Sequence, residues 1–235
     1  MKLFVLAGGF GTRLHPVVSE VPKALAPVGG APFLRLQIEH WKSQGLVSFV
    51  FLLHHQADLI VDFLGNENNG LLRDCEVEWL IEPVPMGTGG AVAYAVEQLK
   101  VVDDFLVTNA DTWIGTKGKE MFVVDSPAMA VVKVENAGRY GGVQFDAGKN
   151  VTDFVEKNAA SEPGWINAGL CRLSPELFKN WDHQPFSLET VSFPLWAASR
   201  TLSAVPLDID FIDIGIPDDY FRMCRWIESH KAKTL

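Results

Sequence analysis

The sequence has little cysteine: Cys75, Cys171 and Cys224 are odd in number and stand far apart. They offer neither a disulfide framework nor a zinc-ligand spacing, so reduced thiols and a cytoplasmic location are expected. Long hydrophobic runs are missing too. No stretch approaches the roughly 18 apolar residues of a membrane span, and the run after Lys2 is too short for a signal-peptide core and ends in glycines, not in a cleavage site. Without export, the Asn150-Val151-Thr152 glycosylation triplet carries little meaning. Positive charge is also short, with 20 Lys and Arg against 29 Asp and Glu for a formal charge of −9. Nucleic acids and anionic membranes call for net or clustered positive charge, so neither is an expected partner. A few basic groups focused in one cleft would still serve a phosphate substrate. Repeats and low-complexity linkers are absent, and 48% hydrophobic content over 235 residues suffices for a large core. One domain spanning 1–235 is expected.

What the sequence does have is concentrated at its start. Leu3-Phe4-Val5-Leu6 is uncharged and apolar, and Gly8, Gly9 and Gly11 follow within a few positions, with Thr12 and Arg13 directly after. A buried strand that breaks into glycines lets backbone approach a ligand closely, and its free N–H groups suit an anion such as phosphate. Arg13 adds a fixed fork of donors and Lys23 a point charge. The Walker pattern fails, because no Gly-Lys-Ser/Thr follows at the right spacing, and the dinucleotide fingerprint fails at Leu14. A different kind of nucleotide loop is expected.

The rest alternates strand and helix signals. Phe33, Leu34, Ile38 and Trp41 recur at helical spacing before Gly45; Val47 to Leu53 reads as a strand buried on both faces; Leu59 to Leu64 suggests a helix and Val77 to Ile81 a strand. Gly87 to Leu99 reads as a helix and Phe105 to Val107 as another buried strand. This order predicts an α/β fold, a Rossmann-like, mostly parallel sheet flanked by helices, with ligands at the carboxyl ends of the strands. From Pro127 the segments 128–134, 142–145, 151–155 and 165–173 read as strands with short connections, a mixed or antiparallel extension. The nucleotide-binding part is therefore placed in 1–126 and the part for the second substrate in 127–235. His54 and His55, adjacent at a strand end, point to opposite faces and are read as ordinary loop histidines. Ser174-Pro175-Glu176 is read as a helix start, Glu189 as part of a helix-capping pattern after Phe186-Ser187-Leu188, and Pro217 with Asp218 and Asp219 as the start of a last helix.

The run Leu6-Ala7-Gly8-Gly9-Phe10-Gly11-Thr12-Arg13-Leu14, with Pro16 and Pro22-Lys23-Ala24-Leu25-Ala26-Pro27-Val28, resembles the signature of the sugar-1-phosphate nucleotidyltransferases. The resemblance implies the nucleotide-diphospho-sugar transferase fold with a sugar-binding extension. It also implies attack of a sugar 1-phosphate on the α-phosphorus of a nucleoside triphosphate, with release of pyrophosphate. By this likeness Leu6, Gly8, Gly9, Gly11, Thr12, Glu82, Gly87, Thr88 and Asp111 bind the nucleotide, Arg13 and Lys23 act on the phosphates, and Asp111 with Asp213 holds Mg²⁺. Read without the likeness, Asp111 caps the next turn and Asp213 belongs to an ion pair or turn. The Arg139-Tyr140-Gly141-Gly142-Val143, Glu156-Lys157 and Ile166-Asn167-Ala168-Gly169 segments resemble the family's sugar site, which implies Gly142, Glu156, Lys157 and Asn167 as contacts; for Glu189 a sugar contact is the alternative to the preferred capping role. Asn158 stands where many relatives have proline, a departure that bears on the local loop path.

At the base-framing position many thymine- or uracil-using relatives have glutamine, whereas this chain has Glu82. A carboxylate only accepts hydrogen bonds, and guanine offers two adjacent donors, so GTP is the expected nucleotide. The combination of Gly87-Thr88-Gly89-Gly90-Ala91, Ile166 to Gly169 and Phe211 to Pro217 is most similar to the D-glycero-α-D-manno-heptose 1-phosphate guanylyltransferases, which supply surface-polysaccharide synthesis. Short enzymes acting on N-acetylmuramate or mannose phosphates, with UTP or GTP, are the nearest alternatives. From other classes come a non-catalytic nucleotide-sugar-binding regulatory subunit and a metal-dependent glycosyltransferase, though Asn109-Ala110-Asp111 carries one acid where the latter shows an Asp-x-Asp pair. The fold's exposed area is compatible with a homodimer.

Overall fold

The computed structural model describes residues 1–155 and 162–231. Its chain order is β1 (Leu3–Leu6), the short pair β2 (Pro27–Val28) and β3 (Ala31–Pro32), α1 (Phe33–Ser43), β4 (Ser48–Leu53), α2 (Ala57–Glu67), β5 (Glu76–Ile81), α3 (Gly87–Gln98) and β6 (Phe105–Asn109). There follow β7 (Thr112–Ile114), β8 (Ala128–Val134), β9 (Gly142–Phe145), β10 (Val151–Val155), β11 (Gly164–Leu173), α4 (Phe193–Ala198), β12 (Ser203–Pro206), β13 (Phe211–Asp213) and α5 (Pro217–Lys231).

Among the described residues nine strands share one sheet, whose main path runs β10-β9-β11-β6-β1-β4-β5. β1 lies parallel to β4 and β6, and β4 lies parallel to β5. Their carboxyl ends, Leu6, Leu53, Ile81 and Asn109, therefore face the same side. The uncharged runs in β1 and β4 are there because both faces are covered. Leu3, Val5, Phe49, Phe51 and Leu53 pack toward Ile38 and Trp41 of α1 and Ile60 of α2. Phe4, Val50, Leu52, Phe105 and Val107 pack toward Ala91, Val92 and Ala95 of α3. Successive strand residues alternate between the two helix layers, and each buried Phe or Leu contributes about 1.5–3 kcal/mol.

β11 turns the sheet from parallel to antiparallel. Its second half pairs with β6, and both halves pair with β8 on the other side, with a register break between Asn167 and Cys171. Gly169 sits in that break at φ +74°, a left-handed conformation that favours glycine. The bend aims Asn167, Ala168 and Gly169 toward the carboxyl end of β6. A third apolar cluster, with Leu14, Phe33, Trp113, Ile212, Ile214 and Met223, docks β13 and α5 against the opening segment. Tyr220 adds a hydrogen bond of 2.5 Å from its hydroxyl to the Pro27 carbonyl.

Two local expectations are corrected. The stretch after Phe186 is a π-helical turn over Leu188–Ser192 before the short α4, and the helix expected after Ser174 is a single 3₁₀ turn over Pro175–Phe178. Ser187 caps the π turn, accepting from the Glu189 and Thr190 amides at 3.1 and 3.2 Å. Glu189 is the acidic residue of that first turn, and its Oε2 accepts the Ser187 hydroxyl at 2.7 Å.

Candidate active site

Two cavities open side by side at the carboxyl ends of the parallel strands. The first, about 370 Å³, is lined by Leu6, Gly8, Gly9, Glu82, Gly87 and Thr88 among others. Gly8 sits in a tight place, since a methyl group there would lie 3.0 Å from Glu82 Oε1 and 3.1 Å from the His54 amide nitrogen. Gly9 faces open space. Gly11, at φ +63°, turns the chain so that Leu14 can bond back to it at 3.0 Å and bury its side chain. Thr12 and Arg13 are left exposed on the rim.

Glu82 is only 8% exposed at the end of β5. Its Oε2 accepts the Met86 amide at 2.8 Å, and its own carbonyl meets His54 Nδ1 at 3.1 Å. Burial pushes its carboxyl above the usual carboxylate range, against the pull of the Met86 N–H. Gly87 stands at φ +69°, where a methyl group would lie 2.6 Å from the Phe186 carbonyl oxygen. That carbonyl accepts the Gly89 and Gly90 amides at 3.0 and 3.1 Å, so these helix-start donors are already used. The Thr88 hydroxyl is also engaged, accepting from the Leu188 amide at 2.9 Å and donating to Glu189 at 2.5 Å.

The second cavity, about 210 Å³, has Arg13, Arg139, Tyr140, Asn167, Phe154 and Asp213 in its wall. Asn109, Asp111 and Glu189 line both cavities. Asn167 accepts the Gly169 amide at 2.9 Å through Oδ1, which leaves its Nδ2 group to donate. Gly141 lines this cavity, while Gly142 is one residue inside β9, paired with Ile166 and Val155. Glu156 and Lys157 lie outside the described residues.

The two cavities meet over a cluster of opposite charges. Asp111 follows β6, where the Ala110 amide bonds to Leu6 at 3.0 Å, and Asp213 is brought beside it by the pairing of β13 with β7, Asp213 opposite Thr112. Lys23, whose side chain is 16% exposed, makes an ion pair with Asp111. Burial would raise the Asp111 carboxyl, but the Lys23 ammonium outweighs it and holds the group below the usual carboxylate range. Asp213 goes the other way, pushed up to about 6 by burial and by the Asp111 charge, against the pull of Lys23, the Gly215 N–H and Arg13. Lys23 thus neutralises Asp111, while Asp213 stays raised despite the pull of Lys23 and Arg13.

Residues 2–230 match the model of the nucleotidyl transferase family. The chain belongs to that family. It is 29% identical to the D-glycero-alpha-D-manno-heptose 1-phosphate guanylyltransferase of Campylobacter jejuni, over 94% of this chain and 97% of that protein. It is 31% identical to the mannose-1-phosphate guanylyltransferase 1 of Arabidopsis thaliana, over 100% of this chain and 67% of the plant protein. Among solved structures, HddC from Yersinia pseudotuberculosis superposes with a TM-score of 0.83 at 32% identity, covering 96% of this chain and 99% of HddC. HddC has also been solved in complex with GMP-PN.

A nucleotidyl transferase of this kind has no need of a nucleophilic side chain, because a phosphate monoester is already ionised near neutral pH. The obstacle is electrostatic, as two anions must meet in line while charge grows on the departing pyrophosphate. The charge cluster suits a hard divalent cation. Mg²⁺ uses one or two carboxylates and fills its shell with water and phosphate oxygens, and the described residues hold no group of three or more His, Cys, Asp or Glu at metal-binding distance. Asp111 and Asp213 would hold the ion, which neutralises charge on the reacting phosphates when bound.

Of the residues expected at the site, Leu6, Gly8, Gly9, Glu82, Gly87, Thr88 and Asp111 line the first cavity and Arg13, Asp111, Asn167 and Asp213 the second. Asn109, Arg139, Tyr140 and Phe154 line the second cavity although only their segments drew notice. The Arg139-Tyr140-Gly141 run was the available signal through its likeness to the family's sugar site, and in the structure Arg139 donates to Asp219 at 2.7 Å.

Proposed function

We propose that this nucleotidyl transferase moves a guanylyl group from GTP to a sugar 1-phosphate, with D-glycero-α-D-manno-heptose 1-phosphate as the acceptor, forming a GDP-sugar and pyrophosphate. The single observation that carries the reading is that Asp111, ion-paired with Lys23, lines both cavities, with Asp213 in the wall of the smaller and the buried acid Glu82 in the wall of the larger. The base would sit against Glu82 and the Gly87 backbone, the triphosphate along Gly8 to Arg13, and the sugar against Asn167 and Tyr140. Lys23 would stabilise the reacting phosphates, and Arg13, from the rim, the leaving pyrophosphate. Asp111 and Asp213 would carry Mg²⁺.

The guanine choice rests on Glu82 accepting two adjacent base donors, supported by relatives named as guanylyltransferases. The heptose choice rests on the full-length likeness to the Campylobacter enzyme. Mannose 1-phosphate is the second acceptor to try, because relatives named for it match the whole chain. We assign 1–126 chiefly to the nucleotide and 127–235 chiefly to the sugar, within one domain. The three unpaired cysteines support a reducing, cytoplasmic setting, and the GDP-sugar would feed surface-polysaccharide synthesis. The test is pyrophosphate release from each nucleoside triphosphate paired with each sugar 1-phosphate in the presence of Mg²⁺. Release with GTP and heptose 1-phosphate is expected; turnover with UTP but not GTP would overturn the role of Glu82.

A further inference from the structure

Glu189 stands at the boundary between the two cavities, reaching it from a different part of the chain than the other residues that share it. Asn109 and Asp111 come from the carboxyl end of β6, whereas Glu189 arrives on the π turn that follows Ser187. Its Oε2 takes the Thr88 hydroxyl at 2.5 Å and the Ser187 hydroxyl at 2.7 Å. Both hydroxyls are themselves oriented, the first by the Leu188 amide and the second by the Glu189 and Thr190 amides. This fixes the carboxylate as firmly as a surface turn can, because each of its two partners is held by backbone. Among the described residues Oε1 has no donor. In the wall of the same cavity Asn167 has its oxygen occupied and its Nδ2 group available.

We propose that Glu189 is a sugar-binding residue whose Oε1 accepts a hydroxyl of the acceptor sugar, with Asn167 donating to another oxygen of the same ring. The inference rests on the sugar-phosphate reading above and narrows its substrate class. A fixed carboxylate in the wall favours neutral polyhydroxyl sugars and repels one that carries a carboxylate of its own. The Thr88 bond also ties the sugar contact to the first turn of α3 in the nucleotide cavity, so the two substrates share one anchored side chain.

The test measures kcat and KM for GTP and for the sugar 1-phosphate in wild type, Glu189→Gln, Glu189→Ala and Thr88→Val, with melting temperatures to confirm that each variant folds. Glu189→Gln is expected to lower kcat/KM for the sugar about ten- to hundredfold, the worth of a hydrogen bond to a charged acceptor, with KM for GTP within threefold of wild type. Thr88→Val is expected to give a smaller loss in the same direction. Among monodeoxy sugar 1-phosphates, the one lacking the partner hydroxyl should lose a similar factor with wild type and nothing further with Glu189→Ala. An unchanged sugar KM in both Glu189 variants overturns the inference, as does a penalty confined to GTP, which would assign Glu189 to the ribose. If wild type releases no pyrophosphate with any pair, the underlying reading fails, and this inference with it.

Discussion

Asp111 and Asp213 are the same side chain in two electrostatic positions. Lys23 is paired with Asp111, so that carboxylate is ionised, while Asp213 bears the cost of burial next to a like charge. Replacing either carboxylate should therefore remove charge control at the reacting phosphates. Asp111→Asn is expected to cut turnover about a hundredfold or more in a pyrophosphate-release assay, with the far-ultraviolet circular dichroism of the wild type. Lys23→Ala should fall as far, and it should also melt at lower temperature, because it leaves the partly buried Asp111 without its ion-pair partner. Near-normal activity in either variant would sink the roles given. Glu82 tests differently. Glu82→Gln replaces one acceptor by a donor, and kcat/KM for GTP should fall about ten- to hundredfold while that for UTP falls less or rises.

At the scale of elements, the site depends on loops that glycines allow to come close. The β1 loop touches Glu82 and His54 through Gly8, and α3 begins beneath Phe186 through Gly87, Gly89 and Gly90. Gly87→Ala would force a left-handed conformation on alanine and drive its methyl group into the Phe186 carbonyl. A destabilisation of about 1–3 kcal/mol is expected from denaturant titration, and the base pocket should loosen with it. Gly8→Ala is the contrasting case. Its backbone conformation is ordinary, so the main expected effect is a displaced Glu82 and a raised KM for GTP, with a small change in melting temperature.

Across the whole molecule, the sheet is clamped between two apolar layers, and stability should follow the layers more closely than the site. Phe49→Ala, far from either cavity, is expected to cost about 3–5 kcal/mol in unfolding free energy. Cys171 lies within the layer against α3, where burial pushes its thiol up, while Cys75 and Cys224 are half-buried. Alkylation followed by mass spectrometry should therefore mark Cys75 and Cys224 in the native protein and Cys171 only after denaturation.

The central strands were legible in the sequence because a strand buried on both faces must be uncharged and bounded by turn residues, as Leu3–Leu6 and Ser48–Leu53 are. So was the glycine loop, whose residues need no partner to announce close backbone approach. The meeting of Lys23, Asp111 and Asp213 was implied only by likeness to a family, since the pairing of β7 with β13 spans a hundred residues that no local pattern encodes. Glu189 was legible as part of a capping pattern because its Ser-x-Glu surroundings fit a helix start, whereas its place in the cavity wall depends on Thr88, reached only through the packing of Phe186 on α3. The sequence by itself determined the layers and the loop, because hydrophobic period and glycine placement act over a few residues. Which charges face one another across the cleft was decided by tertiary structure alone, because strand order and register bring together side chains that lie far apart along the chain.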